Sequence, residues 1–225
     1  MTAAGTPSAA SSRRVRLVVA AVIAGLLLLL GGIGVGRLTA PDSALAPTTT
    51  SAEAGFARDM QTHHQQAVEM ALIIYEKTGD PAIRTLSYDI ASSQSQQAGQ
   101  MFGWLTAWGL PQASPEPSMT WMTRPALSAE DSMNHSAPQS MDMTPGGAMP
   151  GYATAAQITQ LQAATGIEAD RLFLSLMIAH HTGGIEMADA LLARSTNTVV
   201  TNLAMGIVTA QAGEVRYMEQ LLTAS

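Results

Sequence analysis

The chain has 225 residues, a formal net charge of −6 and no cysteine. The missing Cys excludes disulfide frameworks, thiolate metal sites, Cys nucleophiles and a lipoprotein-type anchor. The 11 Lys and Arg are too few and too scattered for a nucleic-acid partner. Hydrophobic residues make up 47% of the chain but aromatic ones only 4%. Ala, Leu, Met and Gln fill the difference, a helix-forming palette.

Charge is segregated along the chain. Arg13, Arg14, Arg16 and Arg37 stand in the first 40 residues without an acid, so the acidic balance belongs to the remainder. Residues 1–16 read as a cytoplasmic tail. Leu17 to Gly36 is an uncharged, largely apolar run of 20 residues, long enough to span a hydrocarbon core of about 30 Å. The Arg before it keep the amino end in the cytoplasm and place the rest outside. A cleaved signal peptide is the alternative, but signal cores run to roughly 7–15 residues. Pro47 also follows the cleavage-like Ala44-Leu45-Ala46. The expectation is therefore an uncleaved single-pass anchor over 17–36 in the cytoplasmic membrane, with the carboxyl-terminal domain extracytoplasmic. A tag on the amino end should stay with the membrane-bound protein. Residues 37–50 form a Pro/Thr/Ser/Ala linker.

The remainder repeats itself. Phe56, Met60, His63, His64, Glu69, Met70 and Ala71 recur as Phe173, Met177, His180, His181, Glu186, Met187 and Ala188, each pair 117 residues apart. The same register pairs Ile90 with Ile207, Gln94 with Gln211, Gln97 with Glu214 and Met101 with Met218. A register held this long marks an internal repeat. Each copy reads as a hairpin of two long helices, 51–110 and 154–225, with a short extra helix near 154–164. Thr50-Ser-Ala-Glu53 looks like a capping box. Phe56, Met60, His63, Ala67, Met70 and Ile74 form a core stripe. Gly79 ends that helix, and Asp80-Pro81 caps and opens the next. The class is all-α, a four-helix bundle from two tandem hairpins, and 51–225 is one domain.

Residues 111–153 separate the hairpins. They are rich in Pro, Ser, Gly and Met, hold six of the 14 Met, and show no apolar period. They read as a Met-rich loop with little fixed structure. Its Met133, His135, Met141 and Met143 are candidate metal collectors. Deleting the loop should leave the helices nearly unchanged.

Bundle stripes are usually aliphatic, yet these carry His and Gln or Glu on all four helices. Such groups are costly to bury unless they are hydrogen-bonded or hold a metal. A hard di-iron site needs Glu-x-x-His; here Met60-x-x-His63 and Met177-x-x-His180 stand instead. Thioether with imidazole suits copper, Cu(I) above all. The candidate ligands are Met60, His63, His64, Met177, His180 and His181. His64 and His181 project to one side of the stripe. Met70, Met187 and Glu214 are secondary candidates, with Glu214 read as the only core carboxylate. Gln97 stands at its repeat position, so two halves of any site would be unequal. The competing reading makes these His hydrogen-bonded core residues.

The doubled Phe-x3-Met-x2-His-His-x4-Glu-Met-Ala, each followed by Gln-x2-(Gln/Glu)-x3-Met, resembles the domain-of-unknown-function-305 family over about residues 52–223. The resemblance implies a ferritin-like bundle in an exported or membrane-anchored bacterial protein and, for some members, copper binding and copper tolerance. It carries the same six ligands, Met60, His63, His64, Met177, His180 and His181. No nucleophile–base–acid set and no Gly-rich phosphate loop is visible, so the chain reads as a copper-binding protein, not an enzyme. A ferritin-like metal oxidase and a metal-free helical interaction module are the alternatives. Protein partners are not legible, and homo-oligomerisation stays open.

Overall fold

The computed structural model of the chain describes residues 46–127 and 144–224. The expected anchor at 17–36 and the loop candidates Met133, His135, Met141 and Met143 lie outside them. All regular structure among the described residues is helical. No helix among them is long and apolar enough to cross a membrane.

Helix α1 spans Ala52–Lys77. The expected Thr50–Glu53 capping box does not form. Ser51 is the N-cap, accepting the Ala54 N–H at 3.3 Å, while Glu53 accepts the Ser195 hydroxyl at 2.6 Å. Helix α2, Pro81–Ala107, starts as the sequence predicts: Asp80 accepts the Ala82 N–H at 2.7 Å and Pro81 takes the first turn. It ends where Gly109 turns left-handed, φ 68°. The Gly109 and Leu110 N–H groups then donate back to Thr106 and Leu105, closing the orphan carbonyls of the last turn. Thr154 and Gln157 form a capping box at the head of the short α3, Ala155–Ala163. Helix α4 covers Gly166–Leu192 and α5 covers Thr198–Ala224. Short turns join α1 to α2 and α4 to α5, each pair packs together, and α1 packs on α4.

The predicted stripe of α1 is fully buried, from Phe56 to Ile74. The core divides into two apolar clusters. One takes α1 from Ala67 to Ile74, α2 from Ile83 to Ala91, α4 from Ala169 to Met177, and Met218 of α5. The other takes α1 from Ala52 to Met60, α2 at Met101 and Leu105, α4 from Met187 to Leu191, and α5 from Val200 to Ile207. The two clusters are met in opposite order along α1 and α4, so these helices run antiparallel. What lies between the clusters is polar on every helix: His63 and His64, Gln94 and Gln97, His180 and His181, Gln211 and Glu214.

The segment between the hairpins departs from expectation. Met119, Trp121 and Met122 are each 2% exposed and belong to the second cluster, with Thr120–Thr123 forming a 3-10 turn. Large apolar side chains without helical spacing can still be core when tertiary contacts place them. The expected carboxylate census also changes. Asp59 and Asp170 are buried, and Glu214 is half-buried at the edge, so it is not the only core carboxylate.

Candidate metal centre

The four His of the doubled motif come together in the polar layer. All four are fully buried, including His64 and His181, which reach neighbouring helices rather than solvent. The His63 and His180 rings lie 3.8 Å apart, centroid to centroid, with a tilt of 33°. His64 and His181 follow at 6.5 and 6.3 Å from their sequence neighbours.

Each imidazole is held through Nε2. His63 donates to the Pro150 carbonyl at 3.0 Å and His180 to the His63 carbonyl at 3.0 Å. His64 donates to Gln97 Oε1 at 2.7 Å and His181 to the Glu214 carboxylate at 2.6 Å. Every partner is an oxygen acceptor, so each Nε2 carries a proton, and in the neutral ring Nδ1 is then left with a lone pair. All four Nδ1 atoms are buried without a hydrogen-bond partner, and so are both amide atoms of Gln94 and of Gln211. Leaving such a group unmet costs about 1–3 kcal/mol. A layer with this many lone pairs fits a bound cation better than a closed hydrogen-bonded core.

Met60 and Met177 are fully buried and border the layer from opposite sides, one per apolar cluster. Met70 and Met187 belong to the same two clusters and follow the His pairs along α1 and α4. Among the described residues, no three His, Asp or Glu groups are drawn together as a closed metal cage. The donors are present as two repeat-related sets, Met60-His63-His64 and Met177-His180-His181.

A strap over the His pair was not legible in the sequence. Gln66 clamps Ala153 through two bonds, Nε2–H to the carbonyl at 2.8 Å and Oε1 from the N–H at 2.7 Å. Gly151, φ 67°, lies against the Ala179 carbonyl and Gly183 against the Pro150 carbonyl, and a Cβ at either would collide with it. Gly183 thus lets the strap approach α4, and Tyr152 stands 6.1 Å from the His63 ring. Only the unusual Gly183-Gly184 pair inside a helix could have signalled the contact.

Burial pushes His63 down to about 4 and His64 to about 3, with neighbouring imidazoles adding repulsion. Burial also lowers His180. The folded metal-free protein thus refuses protons that the unfolded chain accepts below about pH 6.5. The stability these neutral His contribute is complete above that pH and is lost as pH falls toward the folded values. Asp59 and Glu186, raised by burial, oppose this in the lower part of the range. The melting temperature of metal-stripped protein should therefore fall from about pH 6.5 to about pH 5. A flat or rising profile would contradict the buried neutral assignment.

A DUF305 protein of Streptomyces coelicolor described as secreted is 42% identical, with a TM-score of 0.66 over 79% of this chain and 95% of that one. A DUF305 fragment from Deinococcus radiodurans is 31% identical, with a TM-score of 0.60 over 80% of this chain and 100% of the fragment. CopM in its Cu(I)-bound form is 21% identical, with a TM-score of 0.53 over 79% and 97%, which shows a shared fold. No curated protein matches the chain. The model of the family described as "Domain of unknown function (DUF305)" matches residues 53–222, and the chain belongs to that family.

Proposed function

We propose that the chain is an exported, membrane-tethered copper-binding protein that sequesters copper and confers copper tolerance, with Cu(I) the favoured ion. The buried layer of four imidazole Nδ1 lone pairs without protein partners carries this reading. Met60, His63 and His64 form one donor set and Met177, His180 and His181 the other, inside a ferritin-like four-helix bundle. Met70 and Met187 stand farther along their helices from the His pairs and are secondary; Glu214 acts through His181. The loop residues Met133, His135, Met141 and Met143 collect metal for the layer. CopM, of the same fold, is known in Cu(I)-, Cu(II)- and Ag-bound forms, and the Streptomyces relative described as secreted supports export. The apolar run at 17–36 supplies the single-pass anchor, and the reading is of a binder rather than an enzyme.

Metal-stripped full-length protein should take up Cu(I), and protein preloaded with Zn(II) should exchange it for Cu(I) and free the Zn(II) to solution, because thioether sulfur favours the softer ion. Competition titrations with chromophoric chelators measure this. Retention of Zn(II) against equimolar Cu(I) would sink the copper assignment.

A further inference from the structure

The two donor sets repeat the same residue types, and the inequality that Gln97 and Glu214 forecast takes a definite form at two matched positions. His64 donates its Nε2–H to the amide oxygen of Gln97, whereas His181 donates to the carboxylate of Glu214. The contacts are related by the repeat and nearly equal in length, 2.7 and 2.6 Å. A carboxylate accepting the distal N–H of an imidazole raises the basicity of the other nitrogen and offsets the charge of a bound cation. An amide does neither to the same degree. Glu214 keeps 26% of its side chain in solvent while His181 is wholly buried. The acid therefore escapes full desolvation yet acts on a nitrogen inside the core.

The second difference is steric. Gly184 occupies the repeat position of Ala67. The Gln211 amide oxygen lies against Gly184 where a Cβ would stand, and both its amide atoms are buried without a partner. The unpaired amide oxygen of Gln211 thus comes close to the helix turn after His181, where one methyl group is missing; its repeat partner Gln94 is unpaired as well, but Ala67 keeps its methyl.

We infer that the two halves are unequal metal sites, and that Glu214 is a positioning residue that makes the His181 half the tighter one and the first to fill. The inference rests on the copper reading and assigns its order of loading.

The test uses full-length protein with 15N-labelled His, titrated anaerobically with Cu(I) alone and followed through the imidazole nitrogens. The expected result is that His181 Nδ1 shifts at substoichiometric Cu(I), before His64 Nδ1. Glu214→Gln keeps the shape and the acceptor, so the metal-free melt should be unchanged. Outer-shell changes of this kind cost about 10–100-fold in metal affinity. Glu214→Gln should weaken the tighter site by that factor and erase the order of filling, and Gln97→Glu should strengthen the His64 half. Simultaneous filling in the unaltered protein, with no affinity change in Glu214→Gln, overturns the inference and leaves copper binding standing. A titration that shifts none of the four rings overturns the copper reading itself, and the loading order with it.

Discussion

Replacing both central imidazoles, His63→Ala with His180→Ala, should abolish the stabilisation that Cu(I) gives the protein. That stabilisation is RT ln(1 + [L]/Kd), about 2.7 kcal/mol at a hundredfold excess over Kd. The two rings are stacked at 3.8 Å in the middle of the polar layer, each with Nδ1 unpartnered, so the double replacement takes one imidazole from each donor set where the two sets meet. The metal-free variant should stay folded. Both rings are neutral in the fold, so their removal strands no charge, although the Pro150 and His63 carbonyls each lose a donor. Chemical denaturation with and without Cu(I) measures the difference. If the double variant gains as much from Cu(I) as the parent does, these His are core hydrogen-bonding residues. A single replacement is informative as well: one shared site loses most of its affinity, whereas two separate sites lose half their stoichiometry.

The polar layer was visible in the sequence because helical spacing alone puts His63, Gln94, His180 and Gln211 on stripes that are otherwise apolar. The layer's partners were only half visible. Gln97 and Glu214 sit one turn after the two glutamines, and the repeat register marks them as equivalent, but which imidazole each one meets depends on how the hairpin closes. The strap was not legible because its cause is tertiary. Pro150, Gly151 and Ala153 are fixed by Gln66 and by the missing side chain of Gly183, and no local pattern in a Pro/Gly/Ser/Met stretch encodes that. The Thr50–Glu53 capping box failed for a similar reason. Ser51 served equally well as a cap, and a distant hydroxyl at Ser195 engaged Glu53.

Trp121 gives the largest expected loss of stability, and it lies in the segment whose composition suggested a dispensable loop. It is 2% exposed. Its ring meets Phe56 edge-on at 5.8 Å and 87°. It fills the space beside Gly55, where even a Cβ would come within 2.5 Å of the indole. The indole N–H donates to Asp59 Oδ2 at 2.9 Å, and the same oxygen accepts the Met119 N–H at 2.7 Å. That second bond helps hold Met119 at φ 66°, a left-handed backbone that a Met side chain disfavours. Trp121→Ala therefore opens a cavity between α1 and the segment that follows α2, and it also removes one of two donors from a buried carboxylate. Large-to-small changes of this class cost about 3–5 kcal/mol, a large part of the roughly 5–15 kcal/mol that a domain has in all. Trp121→Phe keeps most of the packing and loses the N–H, so it should fall between the parent and the Ala variant. Deleting all of 111–153 should cost at least as much as Trp121→Ala, because it removes Trp121, Met119 and Met122 together with the Pro150 strap. Denaturant midpoints of the metal-free proteins decide the matter. A Trp121→Ala variant within about 0.5 kcal/mol of the parent, the range of ordinary surface substitutions, would mean that this segment only drapes the helices and that the loop expectation was right.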